Sequence, residues 1–235
     1  MPGWRVFCDW MAFPYLDVND GLTRSFTIAY KMTDDGAEHW TTRFNRFKAK
    51  RDRSALVGGV RMMEAAVPRL VKGLGLDVSR TTFVPALSSS ETIASEKGIL
   101  PVLALRCAEA TGAGFVHDAI TKRAHLPIHG IYNAAGRKAV LDKAEFKAGN
   151  IDADSILVFD DFITRGDTLS HIAQAILESN PGTTVYGVAL GKAERRAYHS
   201  QHGVEISNDH VRQEWDTLWE QGERRYRVRK ARSKS

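Results

Sequence analysis

Two adjacent acidic residues, Asp160 and Asp161, are the side chains of this sequence best suited to chemistry. They directly follow the apolar run 155–159 (SILVF), which is typical of a strand buried on both faces of a parallel sheet. In open α/β sheets, ligands bind at the carboxyl ends of such strands. Adjacent carboxylates at that position suit two tasks, holding vicinal hydroxyl groups or organising a divalent cation.

The loop after the acids, residues 164–168 (TRGDT), has the composition of a phosphate-binding turn. It leads into a predicted helix over 167–178, and the start of a helix exposes backbone N–H groups to an anion. Each such bond to a charged phosphate contributes roughly 1.5–3 kcal/mol. Three or four bonds would supply most of a micromolar affinity, about 8 kcal/mol. Carboxylates for a diol beside this loop predict a site for a ribose 5-phosphate.

The elements around this stretch form a strand–helix–strand unit. Leu169, Ile172 and Ile176 share one face of the predicted helix, and residues 183–190 (TTVYGVAL) predict the next strand. Such a unit is right-handed and places both strands parallel in one sheet. We therefore expect an open α/β sheet, to which other predicted strands and helices contribute at 56–74, 80–87, 98–111 and 114–116.

An aromatic-rich segment, residues 1–47, precedes these elements. Alternation over 25–32 (SFTIAYKM) predicts a strand, 34–36 (DDG) predicts a turn, and 39–47 predicts the returning strand of a hairpin. The segment is therefore expected to form a small β-rich cap.

The positive charge of the chain is concentrated at its C-terminus. The formal net charge is +5, but residues 223–235 hold seven basic residues and one acidic residue, which leaves about −1 for 1–222. A basic end of this kind is typical of a solubilising tail, and contact with nucleic-acid phosphates is the alternative. A helix is predicted over 209–221, and Gly222 is expected to end it.

Cysteine content and apolar patterning exclude several classes of protein. Cys8 and Cys107 are the only cysteines, which excludes a disulfide framework and a zinc ribbon. His125 and His129 have metal-like spacing, but Pro127 interrupts the helix that would align them, so loop histidines are expected. The sequence shows no signal peptide and no membrane-spanning stretch, and we expect a cytoplasmic protein without membrane contact.

The stretch 156–170 (ILVFDDFITRGDTLS) resembles the signature with which type I phosphoribosyltransferases bind 5-phosphoribosyl 1-pyrophosphate (PRPP). That signature is an apolar strand, two acids, two apolar residues and a small polar loop with glycine. Within the family, the chain is most similar to ComF-like proteins, although it lacks their N-terminal zinc ribbon. The resemblance spans about residues 47–192 and includes further elements at Phe47-Lys48, Val84-Pro85, Arg123, Arg137 and Phe146.

The resemblance implies a type I phosphoribosyltransferase fold over residues 48–222, an open, mainly parallel five-stranded sheet flanked by helices, with 1–47 as its cap and 223–235 as a tail. It implies a Mg²⁺-dependent enzyme in which an unidentified, nucleobase-like acceptor displaces pyrophosphate from PRPP. The reaction would pass through an oxocarbenium-like state, and the protein would contribute positioning and charge stabilisation. The implied partners are PRPP and the acceptor, with a homodimer as a further option.

The resemblance implies a role for each matching residue of this sequence. Asp160 and Asp161 would hold the ribose 2- and 3-hydroxyls and influence where Mg²⁺ binds. The metal itself would be held mainly through PRPP. The 5-phosphate would be wrapped by the loop residues Thr164, Arg165, Gly166, Asp167 and Thr168.

The pyrophosphate group would lie at the polar loop after the predicted strand 80–87. Ser88 and Ser89, with Ser90 as a third candidate, would donate to it. Lys122 or Arg123 would close over the site and neutralise charge on the leaving group, and Arg123 would thereby take part in catalysis.

Two positions depart from the family pattern. Asp167 places a carboxylate in the phosphate loop, where repulsion would be relieved if Arg165 offset the charge or if Asp167 pointed outward as a helix N-cap. Thr164 stands where the purine-salvage members carry an acidic base, so an acceptor base lies elsewhere or belongs to the substrate. The alternative function is a non-catalytic PRPP- or nucleotide-binding regulator, or a DNA-processing accessory protein.

Overall fold

A mixed sheet with helices on both faces makes up most of the structure, a computed structural model that describes residues 5–13, 21–49, 52–128, 131 and 133–232. The strands are β1 (Arg5–Phe7), β2 (Trp10–Ala12), β3 (Arg24–Met32), β4 (Thr81–Pro85), β5 (Gly114–Phe115), β6 (Ile120–Thr121), β7 (Lys147–Ala148), β8 (Ser155–Ile163) and β9 (Thr184–Glu194). The helices are α1 (His39–Lys48), α2 (Arg53–Gly73), α3 (Ile99–Thr111), α4 (Ala134–Ala144), α5 (Asp167–Ser179), α6 (Arg196–Gln201) and α7 (Gln213–Arg232). None of the helices within these ranges combines the length and the apolarity needed to cross a bilayer.

The main sheet contains seven strands in the order β1-β2-β3-β9-β8-β4-β5. Strands β3, β9, β8, β4 and β5 are parallel, and β1 and β2 extend the β3 edge as an antiparallel ribbon. Strands β6 and β7 form a separate antiparallel pair. The predicted α/β class with a mainly parallel sheet is therefore confirmed. The sheet has seven strands, and one of its five parallel strands, β3, comes from the segment 1–47 that was predicted as a separate cap.

The predicted N-terminal hairpin does not form. Strand β3 lies inside the main sheet, parallel to β9, and the segment expected to return as a strand is helix α1. Trp40, Phe44 and Phe47 recur at helical spacing and are buried, and Glu38 caps the helix by accepting two backbone N–H bonds. The prediction is wrong because aromatic residues also favour strands, and this preference obscured the helical period.

Two apolar cores cover the faces of the sheet. One is formed with α1, α2, α3 and α7, and the other is formed with α5, whose Leu169, Ile172 and Ile176 are buried as predicted. The largest fully buried side chains of the first core include Trp10, Phe44, Trp215 and Trp219. Because residues 156–159 of β8 are buried between the cores, the acidic residues of the strand emerge only near its carboxyl end.

Helix α7 passes through Gly222 instead of ending there. A Cβ built on Gly222 would lie 2.8 Å from the Cα of Gly58 and 2.7 Å from the carbonyl oxygen of Val57, so the two glycines allow α7 to cross α2 closely. The helix then continues to Arg232 with its basic side chains exposed, and residues 233–235 lie outside the described residues. The predicted helix stop is wrong because glycine here permits helix packing, which its pattern does not distinguish from a cap.

Candidate functional site

The carboxyl ends of β4 and β8 form the crevice in which the candidate site lies. The two strands are parallel neighbours, but the chain continues from β4 toward β5 on one side and from β8 toward β9 on the other. Ligands of open α/β sheets bind where the strand order reverses in this way. The N–H of Ala86, just after β4, donates to the carbonyl oxygen of Phe159 (2.7 Å). The serine loop (residues 88–90) therefore starts beside the end of β8.

Asp160 and Asp161 lie side by side near the end of β8, and both are partly buried. The Asp161 N–H donates to Asp160 Oδ1 (2.8 Å), and the Phe162 N–H donates to Asp161 Oδ1 (2.7 Å), so the backbone orients both carboxylates. Burial, together with the neighbouring charge of Asp161, raises the pKa of Asp160 to about 8. Hydroxyl donors or a cation at this pair would relieve the repulsion between the two acids.

The carboxylate pair could bind a cation only together with further donor atoms from a bound ligand and from water. Among the described residues, no group of three or more His, Cys, Asp or Glu side chains is arranged to hold a metal ion. Mg²⁺ commonly binds one or two protein carboxylates and completes its shell with water and substrate phosphate oxygens. The two aspartates match that donor set. His125 is half-buried, with Nδ1 2.8 Å from the carbonyl oxygen of Leu126, and His129 lies outside the described residues.

The predicted phosphate loop turns sharply into helix α5. Gly166 has φ of +81°, a left-handed conformation that favours glycine, and it precedes the helix without any side-chain cap. A helix start leaves the N–H groups of its first turn without intrahelical acceptors. The side chains of Thr164, Arg165 and Thr168 make no hydrogen bond or ion pair with another described residue. The loop therefore presents hydroxyl, guanidinium and amide donors together, as an anion site requires.

The carboxylate of Asp167 is neutralised by Arg137 of α4. Arg137 Nε donates to Asp167 Oδ2 (2.9 Å), and its Nη1 donates to the carbonyl oxygen of Ile131 (2.9 Å). Neither arrangement expected from the sequence is present, because Arg165 does not pair with Asp167 and the N-cap position is held by Gly166. The arginine was singled out in the sequence, but only the packing of α4 on α5 reveals its partner.

A buried lysine, Lys192, anchors the phosphate loop, and it was not identified from the sequence. Lys192 is 2% exposed, and its Nζ donates to the carbonyl oxygen of Thr164 and to Glu194 Oε1 (2.6 Å). Burial lowers the pKa of Lys192. In the sequence, Lys192 follows closely after the apolar run 183–190 that predicts a strand. In the structure this strand is longer, ends at Glu194 and includes the lysine.

Lys122 holds the serine loop rather than facing a ligand. Its Nζ donates to the carbonyl oxygens of Ser89 (3.1 Å) and Glu91 (2.6 Å), the side chain is buried, and burial lowers its pKa. Ser88 and Ser90 are exposed, with their hydroxyl oxygens 3.5 Å apart. The expected direct role of Lys122 at a pyrophosphate group differs from this arrangement, in which it shapes the loop that carries the serines.

Arg123 is paired with an acid outside the carboxylate pair. Its side chain is 71% exposed and pairs through Nη1 with Glu145 Oε1 at 3.0 Å. The structure therefore brings together Asp160, the phosphate loop and the serine loop, whereas the guanidinium of Arg123 pairs with Glu145 and with neither acid of the carboxylate pair. Arg123 would have to leave Glu145 before it could act as expected.

Two lysines border the carboxylate pair on its other side. Lys48 Nζ lies 4.0 Å from Asp161 Oδ2, and Lys31 Nζ lies 4.7 Å from the centre of the Phe162 ring. Lys48 belongs to the aromatic–basic element noted in the sequence, whereas Lys31 was missed. Lys31 lies at the end of a predicted strand. This position would have indicated a place near the site only if that strand had been assigned to the main sheet.

Comparison of the chain with protein-family models gives no match, and comparison with curated proteins gives no significant match.

Proposed function

We propose that the protein is a phosphoribosyltransferase that binds PRPP with Mg²⁺ and transfers the phosphoribosyl group to an acceptor. One observation carries this proposal: the paired carboxylates at the end of β8 lie between a glycine-led helix start and the serine loop, at the reversal of strand order. A sugar phosphate with a second phosphate-bearing substituent has the groups that such an arrangement recognises. The resemblance of 156–170 to the PRPP signature supports the same ligand.

In this proposal each part of the site binds one part of PRPP. Asp160 and Asp161 accept hydrogen bonds from the ribose hydroxyls, the loop 164–168 donates to the 5-phosphate, and the serine loop donates to the pyrophosphate. Mg²⁺, when bound by the aspartates together with PRPP oxygens, supplies positive charge that stabilises the leaving group.

The reaction is a displacement at the anomeric carbon of the ribose. The bond from that carbon to the pyrophosphate oxygen breaks, pyrophosphate leaves with the bonding electrons, and the acceptor donates an electron pair to form the new bond. The residues of this chain position the ribose and stabilise the charge that develops on the leaving oxygen. Lys192 and Arg137 act indirectly, because one holds the Thr164 carbonyl and the other neutralises Asp167.

Calorimetric titration with PRPP and Mg²⁺ tests the proposal. We expect micromolar binding by the wild type and its loss in the double variant Asp160→Asn, Asp161→Asn. The matched control is Asp152→Asn, Asp154→Asn, which makes the same charge change at an exposed pair of acids bound to Arg80. Absence of PRPP binding by the folded wild type would overturn the proposal, and release of pyrophosphate on addition of a nucleobase panel would support the transfer step.

A second candidate is a non-catalytic nucleotide- or PRPP-binding protein that acts on nucleic acid. The end of α7 favours it, because the side chains of Arg224, Arg225, Arg229 and Lys230 are exposed on a continuous helix instead of a coil. Such a helix would bind phosphates by counterion release, so its affinity should fall steeply with salt. Ligand binding without pyrophosphate release, together with salt-sensitive DNA binding lost on truncation after Glu223, would favour this candidate over the first.

A further inference from the structure

Two lysine side chains from different elements meet over one aromatic ring at the edge of the site. Lys31 lies near the end of β3 and Lys48 at the end of α1, and their Nζ atoms are 4.7 and 5.7 Å from the centre of the Phe162 ring. Phe162 is fixed in turn by Phe44 and Phe47, with ring centres 5.2 and 6.5 Å away. Both ammonium groups therefore lie within cation–π distance of the same ring.

The two amino groups keep their hydrogen-bond donors available. Neither Nζ makes a hydrogen bond to any described residue, and the separation between Lys48 Nζ and Asp161 Oδ2 is long for an ion pair, at 4.0 Å. An anion bound by both lysines would relieve their repulsion and accept their hydrogen bonds.

The lysines and the serine loop lie on opposite sides of the carboxylate pair. The serine loop follows β4, one neighbour of β8, whereas Lys31 lies on β3, beyond β9 on the other side. Gly191 of β9 is opposite both Ala29 and Phe162, and a Cβ on it would lie 2.7 Å from Phe44, so this glycine allows α1 to bring Lys48 close. In a displacement, the nucleophile enters opposite the leaving group, and the lysines lie on the side from which it would enter.

We infer that Lys31 and Lys48 bind an oxyanion, a carboxylate or a phosphate, on the acceptor that attacks the ribose. This inference rests on the proposed function and narrows the acceptor to an anionic molecule. It assigns both lysines a role in selecting the acceptor rather than in holding PRPP.

Calorimetry with matched ligands tests the anion site. The probes are nicotinate against nicotinamide, orotate against uracil, and methyl phosphate for the phosphate arm, each titrated with and without PRPP and Mg²⁺. We expect at least one anion to bind about tenfold or more tighter than its neutral counterpart. That preference should be lost in Lys31→Gln and Lys48→Gln and kept in Lys72→Gln, an exposed lysine at the end of α2. Because the Lys48 side chain is 61% exposed, Lys48→Gln should fold normally, and Lys31→Arg should retain binding.

The outcomes separate this inference from the proposed function. If PRPP fails to bind but the anion preference is present and depends on both lysines, the proposed function fails and the anion site stands. If PRPP binds but no probe shows the preference, or if the lysine variants weaken PRPP instead of the anion, the inference is overturned. Methyl phosphate binding that survives both lysine substitutions would assign the anion to the phosphate loop and would also overturn it.

Discussion

Arg137 Nε donates to Asp167 Oδ2 at 2.9 Å, and this ion pair joins α4 to the first turn of α5. The Arg137 side chain is buried, and its Nη1 is fixed by the carbonyl oxygen of Ile131. An acid in a phosphate-binding turn would repel its ligand, so the arginine makes this loop sequence compatible with an anion. The charge of the loop can therefore be adjusted through α4 without any change in the loop itself.

Removing the arginine should weaken PRPP binding through the freed carboxylate. We expect Arg137→Gln to reduce the affinity for PRPP by about tenfold or more, because Asp167 would then face the 5-phosphate unpaired. Adding Asp167→Asn should restore most of the affinity, and calorimetry at constant Mg²⁺ measures both. Arg106→Gln, which breaks exposed pairs with Glu64 and Glu109, is the control. Failure of the second substitution to rescue binding would assign Arg137 a purely structural role.

The pKa of Asp160, raised to about 8 by burial and by Asp161, predicts how stability depends on pH. Unfolded aspartate has a pKa of about 3.9, so between these values the folded protein binds more protons than the unfolded chain. The stabilising effect of this group is therefore complete below the unfolded pKa and is lost as pH rises through 8. In Mg²⁺-free buffer, the free energy of unfolding should fall between pH 6 and 9 by roughly 2–3 kcal/mol more in the wild type than in Asp160→Asn.

Urea denaturation at several pH values checks this expectation. Asp152→Asn, at an exposed acid before the start of β8 that pairs with Arg80, should keep the wild-type pH dependence. Equal slopes for the wild type and Asp160→Asn would contradict the assigned cause, because the only proton-binding group removed is the carboxyl of Asp160.

The carboxylate pair and the phosphate loop could be predicted because their geometry is local. A buried strand, an adjacent pair of acids and a glycine before a helix fix one another through the backbone over residues 155–168. The strand–helix–strand unit is equally local, and the mainly parallel sheet follows from its handedness. The local sequence of that stretch is therefore sufficient to predict that Asp160 and Gly166 lie close together.

The supporting charges could not be predicted because their partners are distant in sequence. Lys192 meets Thr164 only when β9 pairs with β8, and Lys31 reaches Phe162 only when β3 joins the far side of β9. Because 39–47 was interpreted as a strand that pairs with β3, β3 was not assigned to the main sheet. The position of Lys31 beside the site could therefore not be predicted. Arg137 and Asp167 were both noted in the sequence, but no local pattern indicates that α4 packs against α5.

The crossing of α7 over α2 should be sensitive to any side chain at Gly222. An added Cβ would lie 2.8 Å from Gly58 Cα, so we expect Gly222→Ala to lower the free energy of unfolding by about 1–3 kcal/mol as the helices separate. Urea denaturation followed by tryptophan fluorescence measures this, because Trp215 and Trp219 are buried at the same helix. Gly36→Ala, where an added Cβ meets nothing within 4 Å, is the control. Unchanged stability of the Gly222 variant would contradict the close helix crossing.

Lys192 should control the order of the phosphate loop through the carbonyl oxygen of Thr164. We expect the double variant Lys192→Met, Glu194→Gln to exchange the amide hydrogens of 165–169 faster than the wild type, since the loop loses its anchor while no buried charge is left unpaired. PRPP affinity should fall in parallel, because an ordered loop binds without an added entropic cost. Lys122→Met is the matched comparison, a buried lysine whose removal should accelerate exchange in the serine loop instead. Hydrogen exchange measured by mass spectrometry distinguishes the two loops. If either variant accelerated exchange equally in both loops, the lysines would stabilise the fold in general rather than their own loops.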